Sequence, residues 1–376
     1  MIYLDYQATT PLAPEVFDAM APLLRDHFGN PHSTHRMGRQ AAAQVEVARD
    51  RIAAALGIGE GRVIFTSGAT EALNIAIHGF AASAPRERRR IVTLASEHAA
   101  ARDTVLSLEA VGFEVVLLPV GGDGIVNPDV ARAAITPETA LVAAMRVNNE
   151  IGVIQPVDAL AMMAHDVGAP FLCDAVQGFG RVPLPREADA IAISAHKIYG
   201  PKGVGALWLR EGITLPPLIH GGGQEGGLRS GTLSPALCAG FGVAAELMVR
   251  SAEADAAHIE MLWQTALGLF DGWIVNGSMD ARYHGNLNIR RDGIDGARLL
   301  SDCRDIAFSL GSACASGSGR PSHVLQAIGL SDKEARGSVR IGFGRYTRIG
   351  ELEDAGKAIG NAAAQQAPAA SGACAP

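Results

Sequence analysis

Four short stretches of the sequence carry side chains whose types and placing allow chemistry. "AIAISAHKIYGPKG" (190–203) ends an apolar run with Ser194, His196 and Lys197. A lysine just past a buried strand either snorkels to solvent or, kept from water, loses its proton more easily and becomes an imine-forming amine. "PFLCDAVQ" (170–177) ends another apolar run in Asp174. A buried carboxylate needs a partner, which a helix cap, an ion pair or a cationic ring nitrogen would each supply. "VIFTSGATEALNIAIHG" (63–79) passes from strand through a Ser-Gly-Ala-Thr turn into a helix. Its free N–H groups and dipole make an anion site, unless Thr70 or Ser67 simply caps the helix. In "GSACASGSGRPS" (311–322), Cys314 stands among small residues with no apolar period. That segment is expected to be neither helix nor strand and to stay mobile. A phosphate turn, an acid for a ring nitrogen and an imine-forming lysine together point to pyridoxal 5'-phosphate.

The elements that must hold these residues follow from periodicity. Val16, Phe17, Met20, Leu23 and Leu24 share one face of a helix over 14–28, "GNPHSTHRMG" (29–38) reads as loop, and a second helix runs from Ala41 to Gly57. Short continuous apolar strands then alternate with helices near 70–80, 99–110, 129–135 and 157–166, which predicts a largely parallel sheet covered on both faces. After a long helical stretch at about 234–270, strand-like pieces mix with short helices, as in a smaller α+β domain. The tail, 367–376, is low in complexity and expected to be disordered.

The chain has 376 residues, 48% hydrophobic and 19% charged, with a formal net charge of −7. That charge argues against DNA or an anionic membrane as partner. The basic run "RERRR" (86–90) reads as a solvated turn. No stretch has the form of a signal peptide or is long enough to span a bilayer. The five cysteines include no CxxC pair, so no metal site or disulfide framework is expected, and a reducing cytoplasm is. "GGGQEGG" (221–227) lacks a leading strand and a following helix, which makes it a glycine-rich turn rather than a nucleotide loop.

The order of "YLDYQATTP", "FTSGATE", "SEHAA", "VNNEIG", "CDAVQ", "SAHKIYGPKG", "RSGTLS" and "GSACAS" resembles that of cysteine desulfurases of the nitrogen-fixation and iron–sulfur-assembly type, in the class V aminotransferase family. The likeness runs from residue 2 to about 347. It implies a fold-type-I transferase with a large cofactor domain over 14–251 and a small domain formed by 1–13 and 252–376. It further implies that Lys197 carries the cofactor as a Schiff base, Asp174 holds the ring nitrogen, Gln177 bonds the ring oxygen and His98 stacks on the ring. Ala69, Thr70, Ser194 and His196 match phosphate-binding positions, and Thr232 matches the one that reaches the phosphate from the second subunit of a homodimer. Asn149 and Arg340 match the substrate side, and Cys314 matches the thiol that receives sulfur as a persulfide. The implied reaction converts L-cysteine to L-alanine and passes sulfur to a protein acceptor such as an iron–sulfur scaffold. A selenocysteine lyase or class V transaminase is the rival among enzymes, and the "GSAC" segment disfavours the transaminase, which needs no thiol. A non-catalytic sulfur-transfer scaffold is disfavoured by intact Lys197, Asp174 and His98. Gln7 and Gly226 depart from the family pattern, which favours a small polar residue and an arginine there.

Overall fold

In the computed structural model, which describes residues 1–310 and 321–366, the strand Thr139–Met145 is buried along its whole length. Successive strand residues face opposite ways, so full burial requires cover on both faces. Leu141 and Val142 accordingly enter different apolar clusters, as do Ile91 and Val92. Helices Arg36–Leu56, Val157–Asp166 and Pro235–Arg250 cover one face, and Ala69–Ser83 and Ala99–Ser107 the other. The sheet order is Gly61–Thr66, Gly205–Arg210, Ala190–Ser194, Phe171–Asp174, Thr139–Met145, Arg90–Leu94, Glu114–Leu118. Gly205–Arg210 is antiparallel to both neighbours and the other pairings are parallel. This is the mostly parallel α/β sheet that the alternating pattern predicts.

Four expectations need correction. The second helix begins at Arg36, not Ala41, because His35 caps it by accepting the Gly38 N–H at Nδ1 (3.2 Å). The stretch at 234–270 breaks at Ser251 into Pro235–Arg250 and Ala252–Leu269. The first helix ends at Arg25 rather than 28, and its apolar face is only partly covered: Val16 and Met20 are buried while Phe17 is 58% and Leu24 62% exposed. The basic run is also more than a solvated turn. Arg88 donates to the carbonyls of Val167 and Gly168 (both 2.7 Å) at the end of helix Val157–Asp166, and Arg90 pairs with Glu114 (3.0 Å). A guanidinium on terminal carbonyls satisfies acceptors that the helix itself leaves unpaired.

A second, antiparallel sheet joins Ser338–Gly342, Asn286–Arg290 and Ile274–Val275, and Ile2–Tyr3 pairs with Ile306–Ala307. Helices Ala252–Leu269 and Ile349–Gln366 pack on these strands around Leu4, Trp263, Leu287 and Ile341. Val324, Leu325, Ile328 and Ala335, by contrast, enter the core beside the large sheet.

One close approach fixes the turn after Gly61–Thr66. A Cβ on Gly205 would lie 2.7 Å from backbone atoms of Gly68 and Ile193, nearer than packed atoms tolerate. Gly205→Ala is therefore expected to displace the Gly68 turn and destabilise the fold by about 1–3 kcal/mol. Denaturant unfolding checks the stability, and the affinity for a phosphorylated ligand should fall with it.

Candidate active site

In an open, largely parallel sheet, ligand-contacting residues gather beyond the C-terminal ends of the strands. Here a cavity of about 530 Å³ lies there. Ser67–Thr70 follow strand Gly61–Thr66, His98 follows Arg90–Leu94, and Asn149 follows Thr139–Met145. Asp174 ends its own strand, with Gln177 next, and His196 and Lys197 follow Ala190–Ser194. Arg340 enters from the smaller sheet and Gln7 to Thr9 from the N-terminal segment. Ala69, Thr70, His98, Asn149, Asp174, Gln177, Ser194, His196, Lys197 and Arg340 thus all line one cavity. Thr232 is exposed and does not line it. Cys314 and Cys374 lie outside the described residues.

Lys197 Nζ donates to the carbonyls of Gln7 (2.6 Å) and Ala8 (2.7 Å). Withdrawal from water, with Arg181 and Arg340 nearby, pulls the amine down to about 7. Burial pushes the Asp174 carboxyl up, against the Val176 N–H on its Oδ1 (2.9 Å) and the charges of His98 and Lys197. A cation beside it would favour the ionised form. His98 caps helix Ala99–Ser107, accepting the Ala100 N–H at Nδ1 (3.1 Å). Burial holds its imidazole below the ordinary value, so the neutral ring carries its proton on Nε2. His196 is pulled down to about 4 by burial and by Lys197, and its Nδ1 meets Thr9 Oγ1 at 3.1 Å.

The turn into helix Ala69–Ser83 settles what its sequence leaves open. Gly68 is the cap residue and no side chain caps the helix, so neither Thr70 nor Ser67 performs that role. Glu71, in the first turn, accepts the Ser67 N–H (2.6 Å) and is neutralised by Arg229 (2.6 Å). The uncapped start of the helix, Gly68 to Thr70, thus lines the cavity and brings the positive end of the helix dipole to it.

Several contributors escape a reading of local pattern. Arg181 donates to Gln177 Oε1 and to the Lys197 carbonyl (2.7 Å), four and sixteen residues away. Gln177 in turn donates to the Gln7 carbonyl (2.9 Å), so the departure at Gln7 leaves its main chain serving both Gln177 and Lys197. Glu97 is fully buried, and its Oε1 accepts the Met145 N–H (2.6 Å) while Oε2 has no partner among the described residues. Burial and the nearby charge of Asp174 push this carboxyl well above the carboxylate range. The signal that singles out Asp174, an acid where an apolar run ends, also marks Glu97 in "RIVTLASEH". Arg340 is 1% exposed and donates to Asp5 Oδ1 (2.7 Å) and the Asn149 carbonyl (2.9 Å), with Nε left over.

These residues suit pyridoxal 5'-phosphate. The uncapped helix start accommodates its phosphate, the buried Asp174 a cationic ring nitrogen, and the near-neutral amine of Lys197 its aldehyde. Asn149 Oδ1 and Arg340 Nε, buried and without partners among the described residues, leave hydrogen-bonding capacity for a second polar molecule.

Comparison with known proteins points the same way. The model of the aminotransferase class-V family matches residues 2–354. A protein of Rickettsia bellii called cysteine desulfurase IscS is 44% identical over 95% of this chain and 90% of its own length. The mitochondrial cysteine desulfurase of Arabidopsis thaliana is also 44% identical, over 94% of this chain and 80% of its own. Among solved structures, a NifS-like protein superposes with a TM-score of 0.90 at 32% identity, covering 96% of this chain and 98% of its own. SspA in complex with cysteine gives 0.83 at 35%, covering 93% of this chain and all of its own.

Proposed function

The chain belongs to the class V aminotransferase family, and from that premise we propose that it is a pyridoxal 5'-phosphate-dependent cysteine desulfurase converting L-cysteine to L-alanine. The convergence of Lys197, Asp174 and the uncapped helix start on one cavity carries this reading. Similarity to relatives called cysteine desulfurases supports it over a transaminase. In this reading the helix start at Gly68–Thr70, with Ser194 and His196, holds the phosphate, Asp174 the ring nitrogen and Gln177 the ring oxygen. When bound, the cofactor draws electrons from the substrate's Cα and weakens its Cβ–S bond.

The chain's own groups do the rest. Lys197, its amine pulled down to about 7 so that a large share is unprotonated at neutral pH, takes the Cα proton at Nζ and later returns a proton to carbon. His98, neutral with its proton on Nε2, supports the ring and shuttles protons beside Asp174. Arg340 reads the substrate carboxylate with donor capacity left after Asp5 and Asn149 are served, and Asn149 Oδ1 adds an acceptor. The Cys314 thiolate then attacks the substrate sulfur. The S–S bond forms as Cβ–S breaks, the electron pair stays on carbon and is protonated, and alanine leaves with Cys314 as a persulfide. No external oxidant is needed.

The active unit in this reading is a homodimer. Phe17, Leu24 and Phe28 (73% exposed) supply an apolar stripe for a second copy, and Thr232 reaches the partner's phosphate site. The domains divide at 251/252, with 1–13 joining the smaller one. The enzyme works in the cytoplasm and hands sulfur to a protein acceptor such as an iron–sulfur scaffold. No helix among the described residues is long and apolar enough to cross a membrane.

Incubating purified protein with L-cysteine and measuring stoichiometric alanine and a persulfide on Cys314 tests the function. Absence of alanine from protein replete with cofactor would refute it. Asp174→Ala should lower turnover by roughly 10²-fold or more, as loss of a preorganised electrostatic partner does. A near-normal rate at saturating cofactor would return Asp174 to a structural role.

A further inference from the structure

We propose that Glu150 is a positioning residue that anchors the segment carrying Cys314 to the active site by gripping Ser322. The inference rests on the desulfurase reading above. Glu150 is 1% exposed and Ser322 8%. The Ser322 hydroxyl accepts the N–H groups of Val324 (3.1 Å) and Leu325 (3.2 Å), capping helix His323–Ala327, and donates its proton to Glu150 Oε2. Two acceptances and one donation use the full capacity of a hydroxyl, so this root has one orientation rather than several. Glu150 is itself fixed. Its N–H reaches Asn148 Oδ1 (2.8 Å), and its carbonyl accepts from Asn288 Nδ2 (3.1 Å). Beside this grip, His323 Nε2 lies 2.8 Å from the Glu97 carbonyl, one residue before His98. Leading into the segment from the other side, Ser309 and Arg340 exchange two main-chain hydrogen bonds (2.6 and 3.1 Å).

Both chain ends that flank residues 311–320 are thus bonded to neighbours of Asn149 and His98 or to Arg340 itself. A thiol that must meet the substrate sulfur needs its attachment points fixed relative to the substrate site, because small misplacement of a reacting group costs large factors in rate. A buried carboxylate that merely filled space would be costly without such a partner.

Three variants test the grip. Glu150→Ala removes the acceptor and leaves the Ser322 cap, Ser322→Gly removes the hydroxyl at small cost to the helix start, and Glu150→Gln keeps an acceptor oxygen. Alanine formation and Cys314 persulfide are followed with L-cysteine and a dithiol as final acceptor. Glu150→Ala and Ser322→Gly should each lower kcat about tenfold, the order expected for one lost charge-assisted bond. KM for cysteine and pyridoxal phosphate content should stay at wild-type values. The double variant should be no slower than the slower single one, and Glu150→Gln should recover most of the rate. Wild-type kcat in both single variants, or loss of cofactor and thermal stability in step with activity, would overturn the proposal. A wild-type protein that makes no alanine would instead refute the desulfurase reading, so the two failures are distinct.

Discussion

Lys197→Ala abolishes alanine formation from L-cysteine, and borohydride no longer fixes pyridoxal to the chain. Loss of the base alone costs roughly 10²–10⁴-fold, and loss of the covalent attachment adds to it. Lys202 also lines the cavity, but Lys197 is the lysine whose amine is withdrawn from water and held at about 7. Below that pH the amine is protonated and cannot attack an aldehyde, so cofactor uptake by the wild-type apoprotein should slow as pH falls through about 7. The stability linkage has a definite sign. The folded amine lies below the ordinary 10.5, so between about 7 and 10.5 the unfolded chain binds more protons and apoprotein stability rises with pH. Lys197→Ala should flatten that rise. Alanine release by the variant without added amine would remove Lys197 from its role.

Cys314→Ser keeps cofactor binding and loses desulfuration by several orders of magnitude, as loss of a nucleophile does. A hydroxyl of similar size fits wherever the thiol fits, but it offers no thiolate to take the sulfur. The described cysteines are poor substitutes. Cys173 and Cys238 are buried, and burial pushes the first thiol well above its ordinary value and the second to about 12. Cys303 is buried and raised for the same reason. Mass spectrometry of wild type after cysteine treatment should find one added sulfur on Cys314, and a single-turnover assay of the variant should find no alanine. Added sulfur on another cysteine, or a normal alanine yield, would overturn the assignment.

The chain's alternating apolar runs carried the mostly parallel sheet, because burial on both faces leaves a continuous local signature that needs no tertiary context. The acid and the lysine at the ends of two such runs were legible for the same reason, since strand ends are where a parallel sheet presents its ligand groups. Helix starts were less so. Gly68 rather than Ser67 or Thr70 begins Ala69–Ser83, and His35 starts a helix inside what reads as loop, because capping depends on backbone angles and not on residue type alone. The outward turn of Phe17 and Leu24 depends on which side of their helix meets the core. The site's electrostatics belong wholly to the tertiary structure. Lys197 meets carbonyls about 190 residues away, and Arg340 pairs with Asp5 335 positions earlier. No periodicity encodes such contacts, and the amine near neutrality and the lowered imidazole of His98 depend on burial that only the assembled strands and helices create.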